Sequence, residues 1–195
     1  MNKEEEDLLP TETQGYHVGE KKTIEEYEKL DANDESLRKW KESLGLNKAT
    51  AISPTDDPRK VVVTALVLEV EGRQDVVMDV STAAAIENLK KTPLVIKEGI
   101  NYRLKIRFRI QHDVISGLKY LHAVKRAGIV VDRVEEMLGS YGPSDSEYEK
   151  KFLPEEAPSG MLARGKYNVK SKFIDDDKVV HLEWNWVMEI KKDWK

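Results

Sequence analysis

The stretch NYRLKIRFRI, residues 101–110, decides the fold class. Tyr102, Leu104, Ile106, Phe108 and Ile110 fall on one side of a two-residue repeat, and Arg103, Lys105, Arg107 and Arg109 on the other. That alternation is the mark of a strand with one buried and one wet face, the usual condition of an antiparallel sheet. A second strand of the same kind closes the chain, with Leu182, Trp184, Trp186, Met188 and Ile190 on its inner face. Between and before them, 61–70, 76–80, 94–97, 117–125 and 166–174 read as further strands, with 137–140 a shorter candidate and 82–90 a connecting helix. Turn-forming pieces separate them, including Lys97-Glu98-Gly99, Tyr141-Gly142-Pro143 and Asp175-Asp176-Asp177. Seven or more short strands with one apolar face each predict a mainly β, antiparallel sandwich over residues 59–195.

The first 58 residues read differently, as an arm. Residues 1–20 are acidic, without apolar periodicity, and are expected to be disordered. Two short helices are expected over 23–45. Thr23 and Glu26 have capping-box spacing before Ile24, Tyr27 and Leu30, and Asn33 or Asp34 can cap a stripe of Leu37, Trp40 and Leu44 that ends at Gly45. Both are too short to be stable alone in water and need a surface to fold on. Residues 46–58 read as a linker.

Composition narrows the function. Residues 1–60 hold 15 Asp/Glu against 10 Lys/Arg, a net of −5, so the arm carries the chain's negative charge of −4, the opposite of a nucleic-acid binder's bias. There is no cysteine, which excludes disulfides and thiolate metal sites and suits a cytoplasmic protein. No signal peptide and no membrane-spanning apolar run is evident. His17, His112, His122 and His181 are scattered among residues that suggest surface positions, and no phosphate-cradling Gly-rich loop or nucleophile elbow is present. No cofactor, metal or catalytic residue is therefore expected. The Asp175–Asp177 triplet reads as a solvated turn, and the basic face Arg103–Arg109 as a solvated sheet face. Trp184 and Trp186 read either as plain core or as bulk that holds the sheets apart and leaves an apolar slot.

In LDANDESLRKWKESL (30–44), KEGINYRLKIRFRI (97–110), GSYGP (139–143), EEAPSGMLARGKY (155–167) and FIDDDKVVHLEWNWVMEIKKDW (173–194), the chain closely resembles the Rho GDP-dissociation inhibitors. The resemblance implies an immunoglobulin-like layout for the sandwich and a partner, a prenylated Rho-family small GTPase in its GDP-bound form, and it implies a division of labour. The arm would clamp the GTPase switch regions through Asp34, Ser36, Leu37 and Trp40. The sandwich would take the geranylgeranyl tail into a pocket lined by Leu66, Leu68, Leu94, Val114, Leu162, Val169, Trp184 and Trp186. Asp176 and Asp177 would meet switch II, and Glu155 and Glu156 the partner's polybasic tail. Pro93 and Lys166 stand where better-known animal members have phosphorylatable serines, and Leu94 and Val114 are smaller than their usual counterparts. A general prenyl-binding sandwich chaperone is the alternative; the arm would have no purpose there. A secreted adhesion or carbohydrate-binding sandwich would predict a signal peptide and loop aromatics.

Overall fold

The computed structural model describes residues 8–11, 15, 19, 22, 26, 34–43 and 54–194. Ten strands form two five-stranded sheets. The first is ordered β2-β1-β4-β7, from β1 (Val61–Glu69), β2 (Val76–Asp79), β4 (Asn101–Ile110) and β7 (Tyr148–Lys151), with β8 (Glu155–Glu156) also pairing β4. The second is ordered β3-β10-β9-β5-β6, from β3 (Leu94–Lys97), β10 (Val180–Lys191), β9 (Gly165–Ile174), β5 (Ile115–Arg126) and β6 (Ile129–Tyr141). All pairings are antiparallel except that of β3 with β10, which is parallel. The mainly β sandwich expected from the alternation is what forms.

The alternation of β4 translates directly into packing. Leu104, Ile106, Phe108 and Ile110 enter the intersheet core with Leu66, Leu68, Tyr120, Phe173, Trp184 and Trp186. The basic face is not simply solvated, as the sequence led us to expect. Lys105 is buried and holds Glu69 at 2.7 Å and Asp75 at 2.6 Å, while Arg107 meets Glu149 at 2.8 Å and Arg109 meets Glu147 at 3.9 Å. Carboxylates from β1, β7 and neighbouring loops neutralise this face, which removes its appeal to phosphate.

Two helices are described. In α1 (Glu35–Ser43), Asp34 is the N-cap: its Oδ1 accepts from Ser36 N at 2.8 Å and its carbonyl from Arg38 N at 2.9 Å. Lys39–Glu35 and Arg38–Glu42 pairs lie along its surface at one-turn spacing. Of the helix expected around Ile24–Leu30 only Glu26 is described, and it is helical; the side chains of Leu37 and Trp40 lie outside the described residues. In α2 (Ala83–Lys91), Thr82 caps the start by accepting from Ala85 N, and Pro93 prevents continuation. This helix carries the chain from one sheet to the other.

The two ends of the sandwich have different content. At one end lie the start of β1, the β4–β5 connection and the Asp175–Asp177 turn joining β9 to β10. At the other lie the β5–β6 hairpin, β8 and the loop preceding β9.

Candidate functional site: an apolar cavity with a carboxylate rim

Between the sheets, at the hairpin end, the core opens into a cavity of about 320 Å³. Its floor is apolar: Ile96 from β3, Leu104 from β4, Val124 from β5, Val169 from β9, and Trp186 and Met188 from β10. Each stands at an inward position of its strand, so the period that builds core also builds this wall.

Behind the wall runs a short polar chain. Trp186 Nε1 donates to Ser171 Oγ at 3.0 Å, Tyr120 Oη lies 3.0 Å from that same hydroxyl, and His122 Nδ1 lies 3.3 Å from Tyr120 Oη. His122 borders the cavity and is only 4% exposed, so the surface position suggested by its neighbours in sequence is wrong. It alternates with Tyr120 and Val124 on the inner face of β5, and that spacing was the signal for burial. Desolvation pulls its pKa down to about 4, so the ring is neutral near pH 7 and does not charge the cavity. His181 is half-buried, its side chain largely covered and its Nε2 2.8 Å from Asp175 Oδ2 at the far end of the molecule.

The mouth is charged. Glu155 and Glu156 in β8 border it, paired with Tyr102 and Asn101 of β4. The Tyr102 hydroxyl donates to Glu155 Oε2 at 2.6 Å; burial, reinforced by that carboxylate, pushes its pKa far above the ordinary phenol range. Opposite, Arg126 donates to the carbonyls of Leu162 and Arg164 and to Tyr167 Oη, while Arg164 forks onto Glu98 at 2.6 and 2.8 Å. These bonds fix the 160–164 turn at the mouth. They leave Met161 and Leu162 in solvent, at 83% and 90% exposure, and Val131 of β6, which lines the cavity, is itself 54% exposed. A mouth fringed by exposed apolar side chains is ready to receive apolar surface.

The positions singled out from sequence distribute as follows. Val169 and Trp186 line this cavity. Leu66, Leu68 and Trp184 are in the closed core, Val114 is buried, and Leu162 contributes its carbonyl rather than its side chain. Leu94 borders a separate groove of about 360 Å³ between β2 and β3. The lining residues that sequence reasoning missed, Ile96, Leu104, Val124 and Met188, carry the same alternating signal as ordinary core.

At the other end, the Asp175–Asp177 turn is built around Asp175, which is buried. Its Oδ1 accepts from Val179 N at 2.9 Å and its carbonyl from Lys178 N at 3.0 Å. The triplet is thus not uniformly a solvated turn: Asp175 is its internal staple, and Asp176 and Asp177 project further toward solvent. Asp176 N donates to Ser116 O at 3.2 Å, tying the turn to the start of β5. Among the described residues no group of three His, Cys, Asp or Glu could hold a metal, and no helix is long and apolar enough to cross a membrane.

Comparison with known proteins adds a family to this geometry. The family model described as RHO protein GDP dissociation inhibitor matches residues 1–193. The Rho GDP-dissociation inhibitor of Schizosaccharomyces pombe is 50% identical over 178 residues, covering 91% of this chain and 86% of the relative. That of Saccharomyces cerevisiae is 47% identical over 182 residues, covering 91% and 90%. Human Rho GDP-dissociation inhibitor 1 is 45% identical over 180 residues, covering 92% and 87%.

Proposed function

Because the chain belongs to the Rho GDP-dissociation inhibitor family, we propose that it binds prenylated Rho-family GTPases, holds them in the GDP-bound form and lifts them from membranes. It acts by binding alone, as a cytoplasmic monomer without cofactor or catalysis. The observation that carries the reading is the apolar cavity whose mouth is bordered by Glu155 and Glu156.

A prenyl group together with a basic patch is a two-signal membrane anchor, and an extractor must offset both signals. Burying a C20 chain at ~0.8 kcal/mol per CH₂ gives a gross gain above ~10 kcal/mol. The cavity substitutes for the bilayer interior, and the rim carboxylates for anionic headgroups opposite the basic tail. The open volume of about 320 Å³ is near the lower end for ligand pockets, so full entry of the tail requires neighbouring side chains to repack. Val169 and Trp186 are the first wall the tail meets; Leu66, Leu68, Leu94, Leu162 and Trp184 become wall only as the core and mouth adjust, and Val114, in the β4–β5 connection at the opposite end, is left out of this assignment.

The second half of the function belongs to the other end. Asp34 and Ser36 with Leu37 and Trp40 on α1, and Asp176 and Asp177 on the β9–β10 turn, are the groups we assign to the switch regions. Strand β9 runs between the two ends over ten residues, a span of roughly 30 Å. One partner engaging both therefore needs a flexible tail of about that reach, which is what a lipidated C-terminal segment supplies. Release of a geranylgeranylated Rho GTPase from liposomes, with GDP release followed in parallel, tests the reading. Extraction together with slowed GDP release supports it. Extraction without any effect on GDP would favour the general prenyl chaperone, and no extraction would overturn both.

A further inference from the structure

Leu121 and Ala123 on β5 and Ile174 on β9 alternate with the core residues Tyr120 and Phe173, so they face away from the intersheet core. On an open outer face they would be wet. Instead they are buried, in a second cluster separate from the main core, and its fourth member is Leu8. Leu8 is 2% exposed, although it comes from the stretch whose composition predicts disorder.

Polar contacts hold the same segment. Lys172 Nζ donates to Leu8 O at 3.2 Å. Three residues on, Thr11 donates to Glu135 Oε2 through both its backbone N–H, at 2.9 Å, and its hydroxyl, at 2.8 Å. Lys119 holds the other Glu135 oxygen at 3.4 Å. The seat thus has an apolar pocket, a lysine for the carbonyl and a carboxylate, from β5, β6 and β9, for the next turn of chain. The other end of the arm is fastened too: His112 Nε2 lies 2.6 Å from Asp57 O, and Gln111 Nε2 donates to Arg59 O at 2.8 Å. The second fastening lies at the Asp175–Asp177 end, because Gln111 and His112 belong to the β4–β5 connection, and the first sits on the middle of β5, reaching toward that end through Ile174.

We infer that Leu8–Thr11 is an intramolecular clip, seated on the outer face of the β6-β5-β9 sheet, that tethers the arm to the sandwich at both ends. A segment fastened twice has a higher effective concentration at its target and less entropy to lose on ordering there than one fastened once. The clip stands on its own contacts; its benefit to GTPase binding rests on the function proposed above.

The full chain without a partner gives the direct test. In ¹⁵N relaxation measurements, the amides of Leu8, Leu9 and Thr11 should be as rigid as those of the sandwich. Leu8→Asp should bring them to flexible-chain values and shift the amides of Leu121, Ala123 and Ile174. Thr11→Ala should loosen Thr11 while leaving those three amides near their positions. Flexible-chain values in the unmodified protein, or unmoved outer-face amides in Leu8→Asp, would overturn the clip. With a prenylated GTPase, Leu8→Asp should release GDP several-fold faster than the unmodified chain; an unchanged rate, with the clip seen by NMR, would overturn the tethering effect. If the unmodified chain itself fails to slow GDP release, the failure belongs to the proposed function and the NMR result stands.

Discussion

The Tyr102 hydroxyl donates a 2.6 Å hydrogen bond to Glu155 Oε2 across the pairing of β4 with β8. This bond joins the apolar lining of the cavity to its charged rim, and the raised phenol pKa keeps the donor protonated at any physiological pH. Tyr102→Phe deletes the bond and leaves a half-buried carboxylate oxygen short of a donor. A stability loss of about 1 kcal/mol is expected from urea unfolding. Affinity for a prenylated partner with a basic tail should fall, with a neutral-tailed partner nearly unaffected. Equal losses for both would remove Glu155 from the recognition of the tail.

Val169 lies opposite Trp186 in the β9–β10 register, and both line the cavity. Val169→Phe would put a ring into open volume instead of enlarging a packed core, so the stability change should stay within about 1–3 kcal/mol. Liposome extraction should fall by tenfold or more while circular dichroism stays native. Trp184→Asp is the contrasting case. Trp184 packs among Tyr120 and Phe173 in the closed core, and a carboxylate there should abolish the thermal transition itself. Normal extraction by Val169→Phe would mean that the tail enters elsewhere.

Much of this could be read from period and composition, for a physical reason. Strands such as β4 and β10 are buried on one face, so their alternation is enforced. The same reasoning missed most of β6 and all of β7 and β8, because these are short or edge strands rich in charge: Asp132, Arg133, Glu135 and Glu136 in β6, and Glu149, Lys150 and Lys151 in β7. Charge on an edge discourages pairing with other chains, and it also erases the apolar signal. The cavity was half legible. Two indoles on one face pointed to Trp186, but whether an inward side chain meets another or meets space depends on the facing sheet, which a strand's own sequence does not encode. Leu8 was illegible because a single leucine pair in an acidic run has no period at all.

His122 gives the fold a pH dependence with a definite sign. Its pKa is about 4 in the folded chain, against an ordinary value near 6.5 unfolded. Between those values the unfolded state binds the extra proton, so the stability contributed by the neutral ring is present above about pH 6.5 and is lost progressively as pH falls toward 4. The shift corresponds to roughly 3 kcal/mol at most. His122→Gln should flatten the fall in urea midpoint between pH 7 and pH 5. A variant whose pH profile parallels that of the unmodified chain would assign the acid sensitivity to other groups.

Gly117 tests the division of labour between the two ends. Its φ of +58° suits glycine, its N–H donates to Ser140 Oγ at 3.1 Å, and a Cβ there would lie 1.9 Å from Asp176 Oδ2. Gly117→Ala must therefore displace the Asp176 carboxylate, at a cost of roughly 1–3 kcal/mol in steric and backbone strain. Because the cavity lies at the opposite end, uptake of a prenylated peptide should be preserved while GDP retention weakens. Asp176→Ala removes the obstructing carboxylate, so the double variant should recover the steric part of the stability loss, a coupling of roughly 1–2 kcal/mol in a double-mutant cycle. GDP retention should not recover with it, since the carboxylate itself is gone. Urea midpoints and GDP off-rates for the four proteins separate the two effects. Additive stabilities would show that the turn relaxes around the new methyl, and recovered GDP retention would show that Asp176 holds the turn in place without touching the GTPase.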